Sequence, residues 1–220
     1  MIHCILYFDI AGVAADLISA ERWDVNQGKS EGLTSPMWAA RRGHEEVVKL
    51  LLQQKHAQPD NMPDTEHSRV ALSWAAESGN EGVVRIFLGP LFANPHGVVK
   101  LLLEPREVSP DKRDNDCRAP LSLAAKNGND RVVKLLLGRK DVIPDRPDNG
   151  SRTPLSLDVG DGRVGTVELL LERGVVGHDR EDNYGRSLLL FAIIPYMGIV
   201  SGIVKLLRAR RSTAPYRVSV

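Results

Sequence analysis

At 220 residues the chain exceeds the commonest single-domain size but is short enough for one elongated domain. Its 29 basic and 28 acidic residues nearly cancel, which argues against non-specific nucleic-acid binding, and its two cysteines, Cys4 and Cys117, exclude a disulfide framework and favour a reducing compartment. Leu, Val, Ile and Phe stand well above the roughly one-fifth level below which disorder is the default, while aromatics, at 5%, are sparse for a catalytic pocket.

Residues 1–12 are apolar and match nothing else in the chain; with no basic residues ahead of them and Asp9 among them, they do not read as a signal peptide. Val13–Ile18, followed by Asp24-Val25-Asn26, predicts the second helix and exit of a unit whose start is eroded. From there a pattern recurs around a large apolar anchor, at Trp38, Trp74, Leu123, Leu157 and Phe191, with spacings of 36, 49, 34 and 34 residues. An alanine pair follows three of the anchors (Ala39-Ala40, Ala75-Ala76, Ala124-Ala125) and predicts close helix approach. A glycine five residues past the anchor (Gly43, Gly79, Gly128, Gly162) predicts a left-handed turn ending a short first helix. A second apolar run at helical spacing comes next, such as Val47, Val48, Leu50, Leu51 and Leu52, and then a stretch rich in Pro, Asp, Asn and Gly that predicts a turn or hairpin. Neither helix is long enough to be stable alone, so the units must stack. The spacing of 49 contains an echo: Gly82–Leu88 returns 15 positions on as Gly97–Leu103. Pro90 and Pro95 break the helix begun at Val83, so residues 82–96 are expected to form an irregular insertion, with Val98–Leu103 docking in the stack. Asp158, Val159 and Gly160 in the fourth unit predict a short or frayed first helix.

Thr153-Pro154-Leu155-Ser156-Leu157, Ala119-Pro120-Leu121-Ser122-Leu123 and the block Gly43–Leu52 resemble the ankyrin-repeat family, in a variant similar to that of large fungal arrays. The resemblance covers roughly residues 13–208; Ser73, Ser122 and Ser156 stand where the family's Thr-Pro-Leu-His motif has histidine. It implies an all-α solenoid of four to five helix-turn-helix units with degenerate ends. The expected organisation is one domain over 1–211 with a tail at 212–220.

Other signals compete with this reading. Gly160-Asp161-Gly162-Arg163-Val164-Gly165 is a literal G-x-G-x-x-G, but only Gly162 falls on the repeat's glycine, so nucleotide binding is the minor alternative. Ser187–Val204 carries no charge and is followed by Lys205, Arg208, Arg210 and Arg211, so a membrane-tethered array is the other alternative. The apolar ends also suggest self-association. No histidine or cysteine spacing suits a metal, and no nucleophile motif occurs, so a non-enzymatic protein without cofactor or metal is expected. His44, with Asn80 and Asn129 in its register, is expected to cap the second helix.

Arg69, Arg118, Arg152 and Arg186 stand five residues before their anchors, and Asp114, Asp148 and Asp182 nine before. Stacked, they form columns of exposed ion pairs worth roughly 0–1 kcal/mol each, or a recognition edge for an acidic or phosphorylated partner. The favoured function is a scaffold or adaptor that binds another protein in the cytoplasm or nucleus. By the family resemblance, contacts fall after the alanine pair, on Arg41, Arg42, Glu77, Ser78, Lys126 and Asn127. On the turns they fall on Arg113, Asn115, Arg118, Asn149, Arg152, Asn183, Tyr184 and Arg186.

Overall fold

A computed structural model describes residues 11–19, 32–54, 59, 63–89, 108–161, 164–173, 181–188 and 190. Among them lie nine helices: α1 (Ala11–Ser19), α2 (Ser35–Arg42), α3 (Glu45–Leu52), α4 (Ala71–Ser78), α5 (Glu81–Leu88), α6 (Pro120–Lys126), α7 (Asp130–Leu137), α8 (Pro154–Asp161) and α9 (Val164–Glu172). Helices α2, α4, α6 and α8 pack on one another in chain order as one layer, and α1, α3, α5, α7 and α9 form the other. Each later pair (α2/α3, α4/α5, α6/α7, α8/α9) is one unit, and α1 packs on α3 in the second layer. These helices have only two turns each, below the length at which a helix holds in water, so the buried faces decide stability. In the first layer the alanine pairs are fully buried, which lets the backbones approach. In the second layer, Val47, Val48, Leu51 and Leu52 of α3 are buried, as are Val132, Val133, Leu136 and Leu137 of α7.

Each pair turns tightly. Gly43 and Gly79 adopt φ of +81° and +74°, and Gly128 +68°. At Gly43 a β-carbon would also lie 2.8 Å from Asn80 Oδ1, and at Gly79 2.7 Å from Asn129 Oδ1, because the next unit's asparagine rests there. Those asparagines do not cap their own helices, nor does the His44 side chain, which corrects the capping expectation. Instead Asn80 Nδ2 donates to Ala40 O (2.7 Å) and Arg41 O (2.9 Å), and Asn129 Nδ2 to Ala76 O (2.9 Å) and Glu77 O (3.0 Å). The last carbonyls of a helix have no partner within it. The following unit supplies one, so the position joins repeats.

The structure corrects the expectation of an irregular segment for residues 82–88. Residues 81–88 form α5, with Val83, Val84, Phe87 and Leu88 buried between α3 and α7. Closure is local: α4 leads through Gly79-Asn80 directly into α5, with little loop entropy to overcome. Arg139 Nη1 then donates to Leu88 O (2.8 Å), a cation on the helix's carbonyl end. Val98–Leu103 lies outside the described residues, as do residues 1–10, Gly162, 212–220 and most of Ser187–Val204. Among the described residues no helix is long and apolar enough to cross a membrane.

A second correction concerns α8, which spans eight residues like α2 and α4 rather than being shortened. Thr153 Oγ1 accepts the Ser156 N–H (3.3 Å), and Pro154 opens the helix with its φ already set. Asp158, in the place of an alanine, is fully buried. Gly165 lies inside α9, one residue from its start, where a β-carbon would meet the Asp130 carboxylate at 2.3 Å. That carboxylate accepts the Thr166 hydroxyl (2.8 Å), which ties α9 to α7.

The turns between units are short hairpins. Cys117 N–H donates to Asp114 O (2.9 Å), Ser151 N–H to Asp148 O (3.0 Å) and Gly185 N–H to Asp182 O (2.9 Å). The third residue past each aspartate takes a left-handed φ, +61° at Cys117 and at Ser151 and +70° at Gly185. A side chain is strained there and glycine is not. Cys117→Gly is expected to stabilise the protein by about 0.5–1 kcal/mol, the relief of left-handed strain exceeding glycine's entropy cost, whereas Ser151→Gly gains less because it also loses the hydroxyl's bond to Asn183 Oδ1 (2.7 Å). The measurement is the urea midpoint at unchanged m; a lowered midpoint rules out the strain.

Candidate functional site

The hairpin tips form a continuous edge. Asn115 N–H donates to His67 O (2.8 Å), Asn149 N–H to Asp116 O (2.9 Å) and Asn183 N–H to Gly150 O (3.0 Å). The same asparagines bond with their side chains: Asn149 Nδ2 to Asn115 O and Asn183 Nδ2 to Asn149 O, both 2.9 Å, and Asn115 Nδ2 to Glu66 O (3.4 Å). Asn115, Asn149 and Asn183 are therefore exposed, yet each ties its hairpin to the one before.

Beneath the tips the arginine–aspartate columns exist, but their carboxylates are buried rather than exposed. Asp114 Oδ1 accepts the N–H groups of Asp116 (3.0 Å) and Arg118 (2.8 Å), and Oδ2 meets Arg118 Nε and Nη2 (both 3.1 Å) and Arg69 Nε (3.4 Å). Arg118 also contacts Asp116. Asp148 and Asp182 bind Arg152 and Arg186 in the same two-pronged way, at 2.6–2.9 Å. A buried carboxylate with two or more N–H donors is a structural hub, not a surface pair. At Asp182, burial raises the carboxyl pKa, but the Arg186 guanidinium and the N–H groups of Arg186 and Tyr184 outweigh it and hold it below the ordinary value.

Asp64 is a fourth such hub, which the nine-residue spacing missed because its hairpin is one residue longer. It accepts the N–H groups of Glu66 (3.0 Å), His67 (2.6 Å) and Arg69 (3.1 Å) and the Trp74 indole N–H (3.2 Å). Arg69, released from the local pairing, reaches Glu77 (2.7 Å) and Asp114 instead.

Asp111 behaves oppositely to Asp182. Arg146 Nε lies 2.8 Å away, yet burial outweighs it and pushes the carboxyl above its ordinary value. A group with a raised folded pKa stabilises below its unfolded value and loses that contribution as pH rises through the folded one. Asp111→Asn is therefore expected to raise the urea midpoint at pH 7, with the advantage over wild type shrinking as acid protonates Asp111. A variant that is worse at pH 7 than in acid, relative to wild type, shows that the arginine dominates.

The expected first-helix residues share one edge, at the carboxyl ends of α2, α4 and α6. Arg41, Arg42, Ser78, Lys126 and Asn127 are exposed, and Glu77 is half-buried. Arg41 Cζ stands 4.8 Å from the Trp74 ring centroid, Arg69 Cζ 5.0 Å from it, and Arg42 Cζ 5.7 Å from that of Trp38. Asn127 Nδ2 bridges to Glu77 O (3.2 Å). On the hairpins, Arg113 is exposed while donating to Cys117 O (3.0 Å) and Pro147 O (3.2 Å). Tyr184 is 76% exposed, its ring 4.8 Å from Arg186 Cζ. Arg118, Arg152 and Arg186 are partly buried on their aspartates. Among the described residues no group of three His, Cys, Asp or Glu side chains is placed to hold a metal ion.

A family model described as ankyrin repeats in three copies matches residues 3–96, 91–182 and 121–209. No curated protein matches the chain.

Proposed function

The chain belongs to the ankyrin-repeat family, whose members generally mediate protein–protein interaction and are typically non-catalytic, and from that premise we propose that it is a non-catalytic scaffold or adaptor. Its partner protein binds along the hairpins and the carboxyl ends of the first helices. One observation carries the reading: Arg41, Arg42, Ser78 and Lys126 at the first-helix carboxyl ends, and Arg113 and Tyr184 on the hairpins, are exposed on two rows whose backbone is locked by bonds between units. Rigid presentation of exposed side chains lowers the ordering cost of association. Arg118, Arg152, Arg186, Asn115, Asn149 and Asn183 support the hairpin row from within while leaving part of their surface to the partner.

The test is affinity capture with three forms of the full chain. A specific partner is expected to bind wild type, to be lost with Lys126→Glu/Tyr184→Ala, and to be retained with Lys134→Glu on the exposed side of α7. A partner lost with Lys134→Glu alone moves the site to the second helices.

A further inference from the structure

The sequence holds two Asn-Gly pairs, Asn127-Gly128 and Asn149-Gly150. In such a pair the glycine N–H can attack the asparagine side-chain carbonyl, because glycine has no β-carbon to obstruct the approach or restrict the backbone. The fold holds the two pairs differently. Asn127 closes α6: its Nδ2 donates to Leu123 O (3.1 Å) and to Glu77 O of the preceding unit (3.2 Å), and the Gly128 N–H donates to Ala125 O (2.9 Å). Bringing the Asn127 side chain onto the Gly128 nitrogen breaks the end of α6 and the turn into α7. Asn149 is exposed at a hairpin tip, where its Nδ2 donates to Asn115 O (2.9 Å) and the Gly150 N–H to the Asp148 side chain, Oδ1 at 2.8 Å. That tip swings out while α6 and α8 stay packed, and such a local opening costs less than loss of a helix end.

We propose that Asn149-Gly150 is a site of spontaneous modification, at which the hairpin tip loses its amide and, with it, a tie between two units. The Gly150 nitrogen bonds to Asn149 Cγ and gives its proton to solvent. The Cγ–Nδ2 bond breaks, ammonia leaves, and a cyclic succinimide remains. One water opens the ring. Addition at Cγ leaves aspartate in the ordinary backbone, and addition at the backbone carbonyl carbon leaves isoaspartate, with the chain routed through the side chain. Water enters and ammonia departs, so no oxidant or reductant is needed. Either product undoes the ladder. A carboxylate cannot donate to Asn115 O, meets that oxygen with like charge, and stands beside the buried Asp148 carboxylate. Isoaspartate also adds a main-chain carbon between two ladder bonds, Asn149 N–H to Asp116 O (2.9 Å) and Asn183 N–H to Gly150 O (3.0 Å), which then lose their common register. The site is independent of which protein the array binds.

The test is peptide mapping by mass spectrometry of the full chain, held in mildly alkaline buffer and sampled over time beside a urea-unfolded sample. Unfolded, the two asparagines are expected to react at similar rates. Folded, Asn149 is expected to react about tenfold or more faster than Asn127, giving aspartate and isoaspartate. Gly150→Ala is expected to slow Asn149 about tenfold and leave Asn127 unchanged, because the added methyl restricts the attacking nitrogen. Its β-carbon meets Arg152 Nε at 3.1 Å and Asp148 Oδ1 at 3.2 Å, side-chain atoms that can give, and circular dichroism verifies the fold. Asn149→Asp, the product made directly, is expected to lower the urea midpoint at unchanged m. Equal rates at Asn127 and Asn149 in the folded chain, or an Asn149 that stays intact after Asn127 has reacted, overturn the proposal. An Asn149→Asp midpoint equal to that of wild type overturns the loss of the tie.

Discussion

Asp114→Ala is expected to lower the unfolding free energy by about 3 kcal/mol, the cost of stripping two N–H groups and two largely buried guanidiniums of a shared carboxylate, while Arg118 keeps Asp116 and Arg69 keeps Glu77 as counter-charge. Asp114 is shared by two arginines of successive units, Arg118 of its own hairpin and Arg69 of the preceding one. Their side chains are 12% and 7% exposed, so water cannot replace the lost oxygens. Asp182→Ala is the comparison. Its single arginine is 34% exposed and rehydrates, so the expected loss is smaller, about 1–2 kcal/mol from the lost hydrogen bonds. Urea melts of the two variants measure the difference, and equal losses dismiss the shared hub. Because a repeat stack transmits stability mainly between neighbours, amide exchange after Asp114→Ala should accelerate first in α4 and α6.

Val84→Asp is expected to cost on the order of 4 kcal/mol, enough to unfold a marginally stable array, because it places an unpaired carboxylate at a position with no exposure. Val84→Ala, which leaves only a small cavity, is the milder form, with an expected loss of about 1–2 kcal/mol. Both test which copy of the duplicated run fills the second layer. If Val84→Asp left the melt unchanged, α5 would not be the docked helix. Deletion of 89–103 gives the opposite sign. It joins Leu88 to Glu104, restores the 34-residue spacing and keeps the Leu88 carbonyl under Arg139. Roughly halving the connection to α6 saves about 0.6 kcal/mol of closure entropy, a rise of about 1–2 °C at this chain length. A large fall in melting temperature would mean that the removed residues stabilise the array.

The sequence by itself determined the architecture, because the features that set it are local and repeat. A glycine that needs positive φ, an alanine pair that lets helices approach, and an apolar face two turns long are each written in a few adjacent residues, at Gly43, Gly79 and Gly128 and around each anchor. Five registers in agreement leave little freedom to the stack. The sequence also placed the exposed edge, since Arg41, Arg42 and Lys126 follow the alanine pairs by fixed spacing. Three things only the tertiary structure decided, because each depends on what lies across from a residue rather than beside it. Gly82–Leu88 and Gly97–Leu103 are nearly equal as sequences; that the first is a docked helix, entered through the short Gly79-Asn80 turn and ended under Arg139, is seen only in the fold. Asn80 and Asn129 stand where a helix cap is usual, but the last carbonyls of the preceding unit's first helix, some forty to fifty residues back, take their amides. The aspartates of the hairpins read as surface charge in a polar stretch, and stacking is what buries them. Asp64, displaced by one residue, joined their column only once the chain was folded, because a hairpin can lengthen by a residue and still bring the same carboxylate to the same N–H groups.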